Sequence, residues 1–295
     1  MNKNDGFVFH WEVIMEKTLK KYFVIFTVPT LIAFAFAFIA PFLMGVYLSF
    51  CKFTTIKNAQ WIGFSNYAAV FGSSQNFLNS LLFTAMFTVV AIITINVFAF
   101  GIALLLTRKM KGTNLFRTIF FMPNLIGGIV LGYTWQQMIN AVLYKYETTI
   151  VSSAKYGFWG LVLLMNWQMI GYMMIIYIAG LQNVPTELIE AAKIDGATAK
   201  QTLFKVTIPM VMPSITICMF LTLSNSFKLF DQNLALTNGA PMNKTQMLAL
   251  NIYKTFYDKP GFEGVGQAKA VIFFIIVALI AVIQLRATRS REVQQ

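Results

Sequence analysis

The sequence predicts an all-α, polytopic membrane protein with six transmembrane helices, and three observations predict it. Only 12% of the 295 residues are charged and 57% are hydrophobic, against about 25% charged in a soluble domain. The phenylalanine count is 29, which also favours contact with lipid. The Lys and Arg residues are spread thinly between long uncharged runs, the pattern of topological charge flanking membrane spans. That spreading argues against a nucleic-acid surface despite a net charge of +12, because such a surface needs a clustered basic face.

The charges mark the spans. Residues 22 to 51, between Lys21 and Lys52, carry no charge, and 30 residues of helix measure roughly 45 Å against a hydrocarbon core of roughly 30 Å. A polar stretch containing Asn58, Gln60, Ser65, Asn66 and Ser73 to Asn76 follows as an external loop. The second span is expected at about Leu78 to Leu106. Arg117 to Lys145 encloses a third, Lys155 to Glu187 a fourth, Lys205 to Lys228 a fifth and Lys269 to Arg286 a sixth. The last is short, and Lys269 is expected to extend its stem to the headgroups. Pro123 and the pair Gly127-Gly128 are candidate breaks in the third span.

This divides the chain into a segment 1–21, a first helix and external loop 22–76, a core 77–287 with a loop 183–209, and a tail 288–295. On one side of the membrane lie 14 of the 23 Lys and Arg, including Arg108, Lys111, Arg117, Lys193, Lys200, Lys205 and Arg286. That side is expected to be cytoplasmic, with both termini on it. Phe7 to Lys21 reads equally as an interfacial helix or a frayed tail. The first 21 residues mix polar and apolar side chains and do not resemble a cleaved leader. Two cysteines, Cys51 and Cys218, and one histidine, His10, cannot build a metal cluster.

The loop between spans four and five is the most informative stretch. Pro185 to Ala197 reads as a short capped helix. Thr186 is expected as its N-cap, Glu187 puts negative charge on the first turn, and Gly196 ends it in a left-handed conformation. A second helix is expected from Thr198 until Pro209, which disfavours helix at Ile208. Leu188, Ala191 and Ala192 share a face at i, i+3 and i+4 spacing, and small side chains there let another surface approach closely. On spacing alone, packing against the chain's own spans explains the face equally well.

Glu190-Ala191-Ala192, Asp195-Gly196-Ala197, Phe204, Ile208-Pro209 and Pro213 resemble the loop signature of binding-protein-dependent ATP-binding-cassette importer permeases. Arg117 to Pro123, Thr237 to Pro241 with Thr245, Ile252-Tyr253, and Gly266 to Ala270 resemble the maltose and multiple-sugar branch. Ala240 stands where that branch usually has a second Gly. The resemblance implies a type I importer permease fold and a coupling helix that docks in a cleft of a cytoplasmic ATPase. Glu187, Leu188, Glu190, Ala191, Ala192, Asp195, Gly196 and Ala197 would then be the ATPase-coupling residues. It further implies a second homologous permease, two ATPase subunits that carry the ATP and Mg²⁺, an extracytoplasmic solute-binding protein and an oligosaccharide cargo. The chain itself has no Gly-x-x-x-x-Gly-Lys-Ser/Thr loop to cradle phosphates and is expected to be a transport subunit without catalysis.

Polar groups in lipid are costly unless they face protein or water. Candidates for the solute path are therefore Tyr133, Trp135, Gln136 and Asn140 in span three, Asn166, Trp167 and Tyr172 in span four, and Asn225, Lys228 and Asp231 in and beyond span five. Gln137, Gln168, Ser224 and Ser226 lie among them. Trp135 and Trp167 serve equally as interfacial anchors, and the amides as bonds between helices. A non-sugar cargo would call for a strongly charged cavity. An ion-coupled carrier would call for acids or histidines within the spans, and only Lys228 and Asp231 come close. A membrane scaffold without transport is a further rival.

Overall fold

The computed structural model describes residues 22, 23, 25, 27–108 and 111–289; the segment Phe7 to Lys21 lies outside them. Among the described residues, four helices are each long and apolar enough to cross a bilayer: α1 (Thr27–Leu48), α3 (Phe77–Leu106), α6 (Ala154–Gln182) and α13 (Glu263–Arg289). Two more crossings are bent. In span three, α4 (Thr113–Phe121) continues as a 3₁₀ turn over Met122–Leu125 and meets α5 (Gly128–Leu143) at 101°. In span five, a segment beginning with α8 (Ala199–Thr202) and ending with α9 (Ile208–Met210) meets α10 (Met212–Phe227) at 70°. The expected break of span three at Pro123 and Gly127 is therefore present, and span five is broken as well.

Two prolines that should interrupt helices are accommodated by the same local device. Pro209 does not end its helix, contrary to expectation. Ile208 stays helical (φ −60°, ψ −47°), and its N–H bonds to the Leu203 carbonyl across a wide π turn, Leu203–Thr207. In α1 the N–H of Ala40, next to Pro41, bonds to Ala35 in the same way. A proline lacks an N–H and its ring crowds the carbonyl four residues back. Widening the turn by one residue just before the ring relieves both problems while the helix continues.

The remaining elements are mostly short. β1 (Cys51–Lys52) pairs antiparallel with β2 (Gln60–Trp61), with Cys51 opposite Trp61. Helix α2 (Ser65–Val70) follows. Helix α7 (Thr186–Ile194) joins α6 to α8, and α11 (Asp231–Leu236) and α12 (Leu248–Tyr257) lie between α10 and α13.

The core is the seam between α3 and α6. Ala91, Ile95, Ala99 and Ala103 are fully buried at four-residue spacing, and the small side chains let the helices close upon one another. Polar bonds pin the seam. Tyr177 Oη donates to Asn96 Oδ1 (2.7 Å), and Asn96 Nδ2 donates to Thr222 Oγ1 of α10 (3.3 Å). Gly171 of α6 lies so close to the Phe120 carbonyl that a Cβ there would overlap the oxygen.

Lys269 corrects another expectation. Its side chain does not run to the headgroups but is fully buried. The ammonium donates to the Gln75 carbonyl (3.1 Å), Asn251 Oδ1 (2.8 Å) and Thr255 Oγ1 (2.7 Å). So polar a group is tolerated there because its nitrogen has three acceptors within hydrogen-bond reach. The bonds tie α13 to α12 and to the turn before α3. At the neighbouring turn the left-handed positions are Asn238 and Gly239, not Ala240, so alanine in place of the second glycine carries no left-handed strain.

Candidate functional site: a polar cleft and a two-faced helix

The sequence candidates divide among three places. Tyr172, Asn225 and Lys228 line one cleft of about 470 Å³, together with Asn124, Met165, Gln168, Met169, Leu221, Leu229 and Gln232. The spacing explains the convergence: 165, 168, 169 and 172 form one stripe of α6, and 221, 225 and 228 form one stripe running to the end of α10. Asn124 comes from the broken turn of span three and Gln232 from the first turn of α11.

Gln168 holds these pieces together. Its Nε2 donates to the Ile126 carbonyl (3.3 Å), and its Oε1 accepts from Gln232 Nε2 (2.8 Å). Irregular backbone is tolerated at membrane depth where it lines a cavity and its freed polar groups find partners. The break at Ile126 is such a place, and Gln168 supplies one of the partners. The cleft thus offers amides, a phenol, a cation and methionine thioethers, within the size range of small-molecule sites, about 300–1,000 Å³.

Trp135, Asn166 and Trp167 lie in a different, apolar cleft with Trp159 and Phe98. There the Trp135 and Trp167 rings meet edge to face at 5.6 Å, and Asn166 Nδ2 donates to the Val162 carbonyl of its own helix (2.8 Å). Gln136 Nε2 donates to the Leu236 carbonyl (2.8 Å), joining α5 to α11, and Asn140 Oδ1 accepts from the Ile150 N–H (2.8 Å), fixing the loop before α6. Tyr133 is exposed. Asp231 is exposed and packs its Cβ over Gly128. None of these seven lines the polar cleft. Asn124 and Gln232 escaped the sequence reading, because each reaches the cleft from a break between helices, where helical spacing gives no signal.

At the other end of α6 stands α7. Pro185, not Thr186, occupies its N-cap position, and no side chain caps it. Glu187 in the first turn and Lys193 in the last suit the helix dipole. The C-terminus is a Schellman motif: the Ala197 N–H bonds to the Ala192 carbonyl (2.9 Å) and the Gly196 N–H to the Lys193 carbonyl (3.1 Å). Gly196 has the left-handed φ of +77° that this closure requires. A capping box of Thr198 and Gln201 then starts α8.

Helix α7 has two faces. Thr186, Ile189 and Lys193 line a groove against the body of the protein, with Ile189 half-buried and Thr186 and Lys193 still exposed. Glu187, Leu188, Ala191 and Ile194 point outward, with Leu188 42% and Ile194 86% exposed. Glu190 and Asp195 are exposed, and Ala192 and Ala197 are half-buried, so Ala192 leaves the outward face expected for it. Ile194 was missed in the sequence because it lies beyond the Glu-Ala-Ala triplet, yet it carries the most exposed apolar side chain of the helix. Outside the spans, burial holds the Lys254 ammonium below the usual lysine value, with Asp258 acting the other way.

The sequence model of the family described as "Binding-protein-dependent transport system inner membrane component" matches residues 112–291, which contain both the cleft and α7. The chain belongs to this family. It is an inner-membrane, multi-pass permease subunit, and its work is transport, not catalysis. It is 46% identical to a probable starch degradation products transport system permease protein of Thermoanaerobacterium thermosulfurigenes, over 92% of this chain and 94% of the relative. It is 31% identical to a multiple sugar-binding transport system permease protein of Streptococcus mutans, over 95% and 99%. The permease fold is shared with a solved bacterial importer of the acidic polysaccharide alginate, at a TM-score of 0.78 and 18% identity, over 94% of this chain and 98% of that one.

Proposed function

We propose that this permease forms half of the translocation path of an ATP-driven sugar importer and that α7 is the docking element for a separate ATPase. The observation that carries this reading is mechanical. The stripe of α6 that lines the polar cleft sits on a helix that runs unbroken for 29 residues to Gln182, and only residues 183–185 separate it from α7, which begins at Thr186. A force on the outward face of α7 is passed through that short link to the helix that carries Gln168 and Tyr172. The relatives named for starch degradation products and for multiple sugars support an oligosaccharide cargo, which amides and a phenol suit by hydrogen bonding to hydroxyls.

The full assembly in this reading contains a second, related permease, two ATPase subunits holding ATP and Mg²⁺, and an extracytoplasmic solute-binding protein. Both termini and α7 are cytoplasmic. Closure of the ATPases pushes on Leu188, Ala191 and Ile194, the spans rock, and the cleft changes the side to which it opens. Glu187, Glu190 and Asp195 surround the apolar contact with charge, and Gly196 and Ala197 fix its angle through the Schellman closure.

Glu190→Ala combined with Gly196→Pro tests the reading. Co-purification of the ATPase with the permease pair should be lost, and ATP-driven uptake of a radiolabelled maltodextrin should fall to background. Intact recruitment and uptake in the double variant would show that α7 is not the coupling element.

A further inference from the structure

The inward face of α7 borders a groove of about 890 Å³ between that helix, α8 and the ends of α3 and α6. Three cations from three elements line it: Arg108 after α3, Lys193 in α7 and Lys200 in α8. Among the described residues, no Asp or Glu lines the groove. Among the described residues, none of the three side chains makes an ion pair or a hydrogen bond. Leu104, Leu181 and Leu203 give the groove an apolar floor.

We infer that this groove holds an anionic phospholipid, its phosphate between Arg108, Lys193 and Lys200 and its acyl chains over the leucines. The inference rests on the cytoplasmic placement of α7 proposed above. Two features of the groove select a lipid. Unpaired cations that converge without a carboxylate call for an anion, and an apolar floor at the ends of two membrane helices calls for hydrocarbon. Basic pockets between membrane helices at the cytoplasmic surface bind anionic headgroups in this manner. A helix C-terminus accounts for one lysine or arginine at a time, but not for three elements delivering their cations to one groove. An acidic ATPase segment fits less well, because the groove lies on the face of α7 turned away from the exposed Leu188, Ala191 and Ile194. A lipid seated there wedges α7 against α3 and α6 and makes the transfer of force to the cleft depend on membrane charge.

The test compares the assembled wild-type transporter with an R108Q/K193Q/K200Q variant. Both are placed in phosphatidylcholine vesicles with or without phosphatidylglycerol, and neutral vesicles supplied with inorganic phosphate form a further arm. Bound phosphatidylglycerol is counted by native mass spectrometry, and ATPase activity is read alongside it. Each cation contributes roughly fivefold at such a surface, so the triple variant should retain phosphatidylglycerol about a hundredfold more weakly. The wild type should gain activity with phosphatidylglycerol and not with free phosphate, while wild type and variant behave alike in neutral vesicles. Equal lipid retention by both proteins overturns the inference. So does an activity loss of equal size in neutral and anionic vesicles, which would instead place these cations against the ATPase. Loss of ATPase co-purification in the Glu190 and Gly196 double variant is read separately, so failure of the coupling assignment is distinguishable from failure of the lipid site.

Discussion

Gly171 sets the closest approach between two membrane segments, because the space its side chain would need is filled by the backbone carbonyl of Phe120. A carbonyl in a helical turn cannot swing away as a flexible side chain can. Gly171→Ala should therefore destabilise the protein by at least the usual overpacking cost of about 1–3 kcal/mol. Gly101 of α3 has nothing within 4 Å of its absent Cβ. Gly101→Ala should be neutral or should stabilise by up to about 1 kcal/mol through helix propensity. Thermal unfolding in detergent checks both, and a Gly171→Ala protein as stable as the Gly101→Ala protein would refute the assignment. Neither role was readable from the sequence, since both glycines stand in apolar runs and only the partner across the gap distinguishes them. Gly196 was readable, because a helix with charged ends and a following Thr-x-x-Gln box leaves few other places for the chain to turn.

At the level of the element, the runs between charges located every crossing, and Pro123 with Gly127 marked the break in span three, but the bend of span five had no such mark. Spans one, two and four were legible because unbroken apolar length is itself the signal. The bend at Val211 was not, because Pro209 drew attention to a stop and the adjacent π turn absorbs it. The solute-path candidates divided for the same reason. Polarity within a span marks a residue as needing a partner, but it does not say whether that partner is solute, carbonyl or neighbouring ring. Gln136 and Asn140 found backbone partners, and Tyr172, Asn225 and Lys228 face the cleft. Lys269 gives this scale its own prediction. Lys269→Met leaves the buried Asn251 Oδ1 without its donor, at about 1–3 kcal/mol for the group left unsatisfied, while the Gln75 carbonyl keeps the Asn251 amide and the Thr255 hydroxyl keeps the Asn251 carbonyl. Proteolysis of the segment between α11 and α13 in right-side-out vesicles should accelerate, whereas Lys269→Arg should restore part of the protection. Unchanged proteolysis in Lys269→Met would mean that the network does not hold α12.

Across the whole molecule, the lipid-facing surface and the two ends are distinct. Phe36, Val97 and Ile283 on three separate spans are all exposed, as befits helices bathed in hydrocarbon. Helices α7 and α12 lie toward opposite ends, and each offers one exposed side chain for labelling. The two native cysteines, Cys51 and Cys218, are buried, so the background for a thiol reagent should be low. In the topology proposed here, Ile194→Cys should react with a membrane-impermeant maleimide only in inverted vesicles, and Tyr257→Cys only in right-side-out vesicles. The reverse pattern would invert the molecule and remove α7 from the reach of any cytoplasmic ATPase.

The buried ammonium near the start of α13 also limits how the final helix can travel. A shift of one residue along its axis would drag the charge away from all three oxygens at once, toward hydrocarbon. In the topology proposed here those bonds anchor the outer end of the helix, and a tilt about that end keeps them where a piston stroke would break them.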